Sequence, residues 1–429
     1  MMNNSDYQGA TIRSKYVSIY FTIFLLTCGI FFIRNDWPLG VDGALISLSS
    51  IAVILFFFFF KILRHSYVLR PSLHTKLFAC WVLTSCFSAV ISFWYSQQLS
   101  VSIFLVREIV IVLAFFSVGY ILVRYYAISP TTVFYASFVW LFIAAFAVLE
   151  VYFTSDNIRR INVLGSVNYM ASSFAAYFVY CVATIVGKKT DRFEKMVLLI
   201  GGIVAFFGLI LSGSRSSYLA VALVVIMFIL WFISHIIRTG RLRSGIFKNR
   251  SFLLVVATVG SVLFYLSQDK ALSSLFSRMD MNFVVDSAEQ RIFGNYLAAV
   301  DVFAQSDNLL QFFFGTPYAY PLYHDSINPV HPHNLFLSSL LFTGVWSFIS
   351  LSLFLFTLSI SSLRLIKGRH LISDKHTVVI LVLFLFVIFT YTLFSGHFTR
   401  NWHFFFVCGL LSAHIEVAKA RLNSCDLKS

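Results

Sequence analysis

The chain has 429 residues, of which 59% are hydrophobic and only 12% are charged, and its mean hydropathy is +0.83. Soluble globular proteins carry about 25% charged residues, so this composition excludes an ordinary soluble domain and indicates a membrane protein. A formal net charge of +14 is compatible with nucleic-acid binding, but the excess Lys and Arg lie in short segments between apolar runs, where they set membrane orientation. We therefore expect membrane lipids, and no nucleic acid, as partners.

Apolar runs long enough to cross a bilayer as helices recur along the whole chain. The first, 17–33, follows a polar stretch with Arg13 and Lys15 and lacks a small-residue cleavage site, so it is predicted to be a first helix rather than a signal peptide. Twelve spans are predicted, at 17–33, 44–63, 76–94, 101–123, 131–154, 169–187, 195–212, 217–237, 252–268, 334–362, 377–395 and 401–418. The sequence therefore predicts a single all-α polytopic membrane domain over 1–429.

The basic residues are divided unequally between the two sets of alternating loops. One set holds 23 of the 32 Lys and Arg residues and the other holds eight, while Arg107 lies inside a span. Because loops rich in Lys and Arg stay in the cytoplasm, both termini are predicted to be cytoplasmic. The long loop 268–333 then lies on the outer side. Loops of this length are usually functional, so we expect it to carry part of the active site.

Arg215 lies in the turn Leu-Ser-Gly-Ser-Arg-Ser-Ser-Tyr (211–218) between the seventh and eighth spans, on the predicted outer side. A guanidinium at the membrane surface suits a phosphate, because it forms two parallel hydrogen bonds at a fixed angle. An interfacial arginine that reaches toward lipid headgroups is the alternative.

Arg291 lies in the loop segment 287–303, whose apolar spacing predicts an amphipathic helix on the membrane surface. The apolar positions are Ile292, Tyr296, Val300 and Phe303. Arg291 would occupy the first turn of this helix and face the same surface as Arg215. An ordinary surface charge beside Glu289 is the alternative.

His331 and His333, in Val-His-Pro-His-Asn-Leu-Phe-Leu (330–337), end the loop where the tenth span begins, and Asn334 is predicted to cap that helix. A histidine here could accept a proton near neutral pH. Two histidines this close could instead bind a metal, but no cluster of Cys, Asp or Glu lies nearby, and the six cysteines have no metal-ligand spacing.

Two further pairs of polar residues lie near the same face. Arg107 and Glu108 interrupt the fourth span about two turns from its outer end, and ionisable residues within spans usually face a cavity. They could also lock helices together. His397 and Arg400, in Ser-Gly-His-Phe-Thr-Arg-Asn-Trp (395–402), lie between the last two spans, where a pair reaching toward headgroups is the alternative.

These motifs together resemble the O-antigen polymerase and O-antigen ligase superfamily. The resemblance rests on the Ser-Gly-Ser-Arg-Ser-Ser turn, on the loop arginine followed by an amphipathic segment and Phe-Gly-Thr (314–316), and on His-Pro-His-Asn followed by Gly344. Asn168, in Gly-Ser-Val-Asn-Tyr-Met-Ala (165–171), matches the motif before that family's central span. The resemblance extends over roughly 160–402. The chain departs from it at Phe342-Thr343-Gly344, where many members have an acidic residue before the glycine.

The resemblance implies a glycosyltransferase of the membrane C type in the bacterial inner membrane, acting at the periplasmic face on undecaprenyl-diphosphate-linked oligosaccharide. It implies no nucleotide sugar, required metal or other cofactor. Carried onto this chain, Arg215 and Arg291 would hold the donor diphosphate, and His333 would activate or orient the acceptor hydroxyl. The further substrate-binding candidates are His331, Asn334, Arg400, Arg107 and Tyr318.

Two reactions of the family share such a site. A polymerase uses a second lipid-linked repeat as the acceptor, whereas a ligase transfers the finished glycan to lipid A–core. The Phe-rich, otherwise idiosyncratic spans favour the polymerase. A twelve-span transporter or flippase is the alternative from another class, but it would place its polar residues near the bilayer midplane, and here they gather at one face apart from Arg107 and Glu108.

Overall fold

The computed structural model of the protein describes residues 49, 51–56, 71–96, 99–154, 167–187, 190–212, 214, 216–227, 296–304, 309–315, 334–368, 372–394 and 401–426. These residues form helices and short connections, with no β-strand among them. Eight of the helices in this part of the chain are long and apolar enough to cross a membrane. The protein is therefore an all-helical, multi-pass membrane protein.

We number the helices in chain order. They are α1 (Leu73–Ser96), α2 (Leu99–Arg124), α3 (Pro130–Thr154), α4 (Val167–Gly187), α5 (Arg192–Ser212), α6 (Ser216–Met227), α7 (Ala298–Ala304), α8 (Leu309–Phe314), α9 (Leu335–Lys367), α10 (Ile372–Phe394) and α11 (Trp402–Asp426).

Eight of the twelve predicted spans coincide with long helices, namely α1 to α5 and α9 to α11. The predicted spans 17–33 and 252–268 lie outside the described residues. The spans 44–63 and 217–237 are described only in part, as a short helical segment at 51–56 and as α6. The loop 268–333 is described only around α7 and α8, so twelve spans and a long loop remain predictions.

Consecutive long helices run antiparallel, which gives the bundle two distinct ends. Along α3 and α4, for example, Phe134 packs on Tyr180 and Ser137 bonds Tyr177, so residue numbers rise on one helix as they fall on the other. Toward one side, which we call the Asn401 end, lie the helix ends at Ser96, Leu99, Thr154, Val167, Ser212, Phe394 and Trp402, although they are not all at one level. The opposite, Glu416 end carries those at Leu73, Arg124, Pro130, Gly187, Arg192, Lys367 and Ile372.

Helices α2 and α11 form the most extensive helix pair of the described structure, because glycines bring their backbones together. A Cβ on Gly119 would lie closer than 3.0 Å to the carbonyl oxygen of Phe406, and a Cβ on Gly409 equally close to that of Phe116. Lipid is as apolar as the helix surfaces, so close backbone packing of this kind drives association within a membrane. The two helices run parallel through this crossing.

The first residues of α11 lie well inside the bundle. The ring of Trp402 stacks on Phe115 of α2, with 5.2 Å between centroids, although α2 begins sixteen residues earlier, at Leu99. At 1.5 Å per residue, α2 extends roughly 24 Å beyond this contact. Asn401 and His403 are accordingly fully buried.

Helix α9 is sharply bent at Gly344, which has φ +78°. A straight helix would separate residues 336 and 348 by about 18 Å, but the ring centroids of Phe336 and Phe348 are 6.1 Å apart. The sequence predicted one uninterrupted span at 334–362. The structure instead has a short arm, 335–343, and a long arm, 345–367, because glycine alone accepts this backbone conformation without strain.

A second glycine fixes the bend. Gly315, at the end of α8, has φ +82°, and a Cβ there would lie 2.5 Å from the carbonyl carbon of Phe342. A Cβ on Gly344 would in turn overlap the backbone of Phe313. We call this backbone-to-backbone packing of residues 313–315 on 342–344 the glycine contact. It attaches α8 directly to the bend.

Hydroxyl groups join α1 to α9 beside the bend. Ser88 donates to the carbonyl oxygen of Thr343 at 2.8 Å, and the hydroxyls of Ser85 and Ser347 are 2.5 Å apart. Because the backbone turns away at Gly344, the Thr343 carbonyl lies where the helical hydrogen-bond ladder is interrupted. The α1 hydroxyl supplies the partner that a buried carbonyl needs inside a membrane.

Glu416 joins three helices at the opposite end of the bundle. Its Oε1 accepts hydrogen bonds from the backbone N–H of Ser72 and from Thr75 Oγ1, both at 3.1 Å, and its Oε2 accepts one from the Tyr120 hydroxyl at 2.5 Å. The guanidinium of Arg124 lies 4.0 Å away. Helices α1, α2 and α11 are therefore tied together here.

Two further polar contacts lie at the Glu416 end. Arg421 of α11 forms an ion pair with Asp374 of α10 at 3.1 Å, and Tyr135 of α3 donates to Glu194 of α5 at 2.6 Å. Hydrogen-bonded carboxylates thus link neighbouring helices across this end.

We expect Gly409→Ala to lower both the yield and the melting temperature of the purified protein, because the added methyl group would overlap the Phe116 backbone, which cannot rotate away. Overpacking of this kind costs about 1–3 kcal/mol or more. Gly202→Ala is the matched control, since its Cβ would meet only the Cys181 side chain, at 3.2 Å. Thermal unfolding in detergent measures both variants, and equal melting temperatures would contradict the proposed crossing.

Candidate functional site

A buried histidine lies at the centre of the polar residues at the Asn401 end. His403 is fully buried near the start of α11, and its Nε2 lies 3.3 Å from the Ser172 hydroxyl of α4. Its ring packs on the edge of Tyr169, with 4.1 Å between centroids, and lies 5.9 Å from the ring of Tyr391 of α10. We call these four residues the His403 cluster. It joins α4, α10 and α11.

The turn after α5 brings several hydroxyl groups next to this cluster. Ser214 donates to Asn168 Oδ1 at 3.1 Å, and Ser217 donates to Ser214 at 3.3 Å. The Ser216 hydroxyl also lies 3.3 Å from Ser214. We call the three serines the serine turn. Asn168 immediately precedes Tyr169, so α4 connects the serine turn to the His403 cluster.

The carbonyl oxygen of Leu393, near the end of α10, receives two hydrogen bonds from other parts of the chain. The Tyr296 hydroxyl donates at 2.7 Å and Asn334 Nδ2 donates at 3.2 Å. The last carbonyls of a helix have no partner within it. Here a side chain from within the loop 268–333 and one from the residue that follows it donate to the Leu393 carbonyl. Tyr391 of the His403 cluster lies two residues earlier in α10.

Asn334 caps α9, as the sequence predicted. Its backbone is extended, and Oδ1 accepts hydrogen bonds from the backbone N–H groups of Phe336 at 2.9 Å and Leu337 at 3.1 Å. The Asn334 side chain therefore accepts from the first N–H groups of α9 with its oxygen and donates to a last carbonyl of α10 with its nitrogen.

Arg107 lies within α2, about two turns from Leu99, as predicted. Its Nη2 lies 3.1 Å from Oε1 of Glu108, and its side chain is 60% exposed while that of Glu108 is 7% exposed. The arginine thus reaches the bundle surface and the carboxylate faces inward. A role for Arg107 in substrate binding remains a prediction.

The other predicted site residues lie outside the described residues. They are Arg215, Arg291, His331, His333, Arg400 and Tyr318. Their roles therefore remain predictions.

Several of these residues have described neighbours in the chain. Ser214 and Ser216 flank Arg215, Asn334 follows His333, and Asn401 follows Arg400. Tyr296 lies five positions after Arg291. All of these neighbours lie at the Asn401 end and contact the elements that surround His403.

His403 was not predicted from the sequence. His397 and Arg400 were candidates, but the residues after Arg400 resemble the start of an ordinary apolar span. An ionisable residue inside a span is itself a signal of function, and His403 falls within the candidate span Trp402–Leu422. Asn168 was recognised only as part of a motif, because its contact with Ser214 joins residues far apart in sequence.

The described groups of the His403 cluster, the serine turn and Asn168 are mostly hydrogen-bonding groups without a formal charge at their oxygens. Hydroxyls, amides and an imidazole both donate and accept, so they suit ligands that carry hydroxyl groups. Among the residues that the structure describes, no three His, Cys, Asp or Glu side chains come together as a metal site would require.

Comparison of the sequence with protein-family models gives no match, and comparison with curated proteins gives no significant relative.

We expect Asn334→Ala to destabilise the protein by about 0.5–2 kcal/mol, because it removes a helix cap, and to lose the bond to Leu393 as well. Asn334→Asp separates the two contacts, since it keeps the capping oxygen but has no amide to donate. The aspartate variant should melt between the alanine variant and the wild type in detergent. If the alanine variant melts like the wild type, Asn334 does not hold α9 and α10 together.

Proposed function

We propose that the protein is a membrane glycosyltransferase that polymerises a bacterial surface polysaccharide, moving an undecaprenyl-diphosphate-linked glycan onto a sugar hydroxyl of a second lipid-linked repeat. The observation that carries this proposal is that described residues near the predicted catalytic residues in the chain come together. The described neighbours of Arg215, Arg291 and His333 lie at one end of the bundle, joined through α4, α10 and the His403 cluster.

The proposed reaction needs charge neutralisation and a base. The acceptor oxygen attacks the anomeric carbon, the bond from that carbon to the diphosphate oxygen breaks, and undecaprenyl diphosphate leaves. Arg215 and Arg291 would stabilise the negative charge that develops on the diphosphate. His333 would take the proton of the acceptor hydroxyl.

Neutral groups next to these residues fit the substrate's sugars. Asn168 and the serine turn offer amide and hydroxyl groups around Ser214 and Ser216, the chain neighbours of Arg215. Asn334 follows His333 directly in the chain. Hydrogen bonds from such fixed groups orient a hydroxylated substrate so that the reacting atoms approach in line.

We further propose that the Asn401 end faces the periplasm and the Glu416 end the cytoplasm of the inner membrane. The described helix ends support this orientation. Basic residues at the Glu416 end are Lys76, Arg124, Arg192, Lys195, Arg364, Lys367, Lys375, Lys419 and Arg421, whereas Arg107 is the basic residue described toward the Asn401 end. Such an imbalance is typical of a cytoplasmic face.

We expect Arg215→Ala, Arg291→Ala and His333→Ala each to abolish glycan transfer while the protein stays at its normal level in the membrane. Removal of one group that stabilises transition-state charge costs about 10²–10³ in rate. The measurement is the surface glycan of a deletion strain that carries each variant, with protein quantified by immunoblot. Arg278→Ala is the matched control, because it removes an arginine from the same loop as Arg291.

The glycan pattern of the deletion strain also tests the type of reaction. Loss of long chains with a single repeat still attached to the core indicates a polymerase. Core without any repeat, with polymer left on the carrier lipid, indicates a ligase and contradicts the polymerase. Full activity of any two of the three variants contradicts the proposed catalytic residues.

The orientation is tested by cysteine labelling in a variant that lacks the six native cysteines. Ser287→Cys, in the loop 268–333, should react with an impermeant thiol reagent in intact spheroplasts. Ser244→Cys, in the predicted cytoplasmic loop between the eighth and ninth spans, is the control and should react only after lysis. The reverse pattern would show that the bundle faces the other way.

A further inference from the structure

An apolar groove lies between α3 and α5 in the half of the bundle nearer the Asn401 end. Its volume is about 620 Å³. The side chains that line it include Phe142, Phe146 and Leu149 of α3 and Val204, Gly208 and Leu211 of α5. All of the lining residues are apolar or glycine, so the groove accepts hydrocarbon and offers no side-chain hydrogen bond.

Helix packing nearer the Glu416 end closes one end of the groove. Helices α3 and α5 meet where Gly201 faces Phe138, since a Cβ on Gly201 would lie 2.9 Å from that ring. Gly208 packs on the ring of Phe174 from α4, because a Cβ on Gly208 would lie 2.5 Å from that ring. The groove therefore begins beyond a tight helix crossing, and its lining residues come from α3 and α5.

The other end of the groove reaches the proposed diphosphate site. Leu211 lines it, and the next residue, Ser212, ends α5 just before the serine turn. From Val204 to Leu211 the helix rises about 10 Å, which is most of the roughly 15 Å hydrocarbon depth of one leaflet. An apolar chain lying in the groove would therefore have its head at the turn that contains Arg215.

We propose that this groove binds the polyprenyl chain of the lipid-linked donor, with the diphosphate at the serine turn. This inference rests on the proposed function. The occupant follows from the combination of a wholly apolar groove and an adjacent turn that carries a cation. A hydrocarbon tail joined to a diphosphate matches both parts, and its chain would leave the site sideways, into the membrane, while the sugars remain at the Asn401 end.

The groove also explains how one site could hold the apolar tail and the hydrophilic sugars of the same donor. Phe146 is 70% exposed and Phe142 is 39% exposed, so the groove opens toward the surrounding membrane. A donor can then enter by lateral diffusion, without lifting its tail out of the bilayer.

A photoreactive residue identifies the occupant. We expect p-benzoylphenylalanine at Phe146 to crosslink polyprenyl diphosphate in nanodiscs of phosphatidylglycerol and phosphatidylethanolamine, and mass spectrometry identifies the adduct. The same residue at Val139, two turns earlier on α3 and outside the groove, is the control and should capture phospholipid only. Capture of phospholipid alone at Phe146, of a peptide from this chain, or of a second copy overturns the proposal.

Filling the groove tests its contribution to activity. We expect Val204→Trp and Leu149→Trp to raise KM for the lipid-linked donor about tenfold or more, equivalent to about 1.4 kcal/mol, with kcat little changed. Ile200→Trp and Val139→Trp are matched controls, because both positions are exposed on the same helices but do not line the groove. An unchanged KM in the groove variants overturns the proposal.

The result separates this inference from the proposed function. If Arg215→Ala is inactive while the groove variants behave like the wild type, the glycosyltransferase stands and the groove assignment fails. If the wild type transfers no glycan and the variant with p-benzoylphenylalanine at Phe146 does not crosslink polyprenyl diphosphate, both fail.

Discussion

The packing of Gly315 on Gly344 determines how the Asn401 end is built. Both residues have positive φ, and any Cβ at either position would overlap the opposing backbone. The contact bends α9 and turns its first arm, 335–343, across the bundle. Asn334 can therefore reach the end of α10, where its amide donates to the carbonyl of Leu393.

The bend also explains why groups from distant parts of the sequence share one region. Tyr296 and Asn334 precede and follow α8 in the chain, yet both donate to the carbonyl of Leu393. Through α10 they adjoin His403, and through α4 they adjoin the serine turn. The arrangement is held by backbone packing and neutral hydrogen bonds. Such groups tolerate burial in a membrane better than charges do.

Sequence reasoning predicted what depends on local composition. Eight spans appear as helices because a run of apolar residues is sufficient for a helix in lipid, where the backbone must bond to itself. The cap at Asn334 was predictable because it involves only the next three residues. The bend at Gly344 could not be predicted. Apolar residues continue on both sides of the glycine, and hydropathy does not report a change in the direction of the helix axis. The crossing at Gly119 and Gly409 could not be predicted either, because it joins residues far apart in the chain. The same is true of the contact between His403 and Ser172.

The bonds around Glu416 have a mechanical consequence. The carboxylate pins α1, α2 and α11 together, and the ion pair of Asp374 with Arg421 adds α10. The other end is joined by hydroxyls, amides and glycines instead. Hydrogen bonds to charged carboxylates are stronger than those between neutral groups. Separation of the described helices is therefore expected to cost more free energy at the Glu416 end than at the Asn401 end.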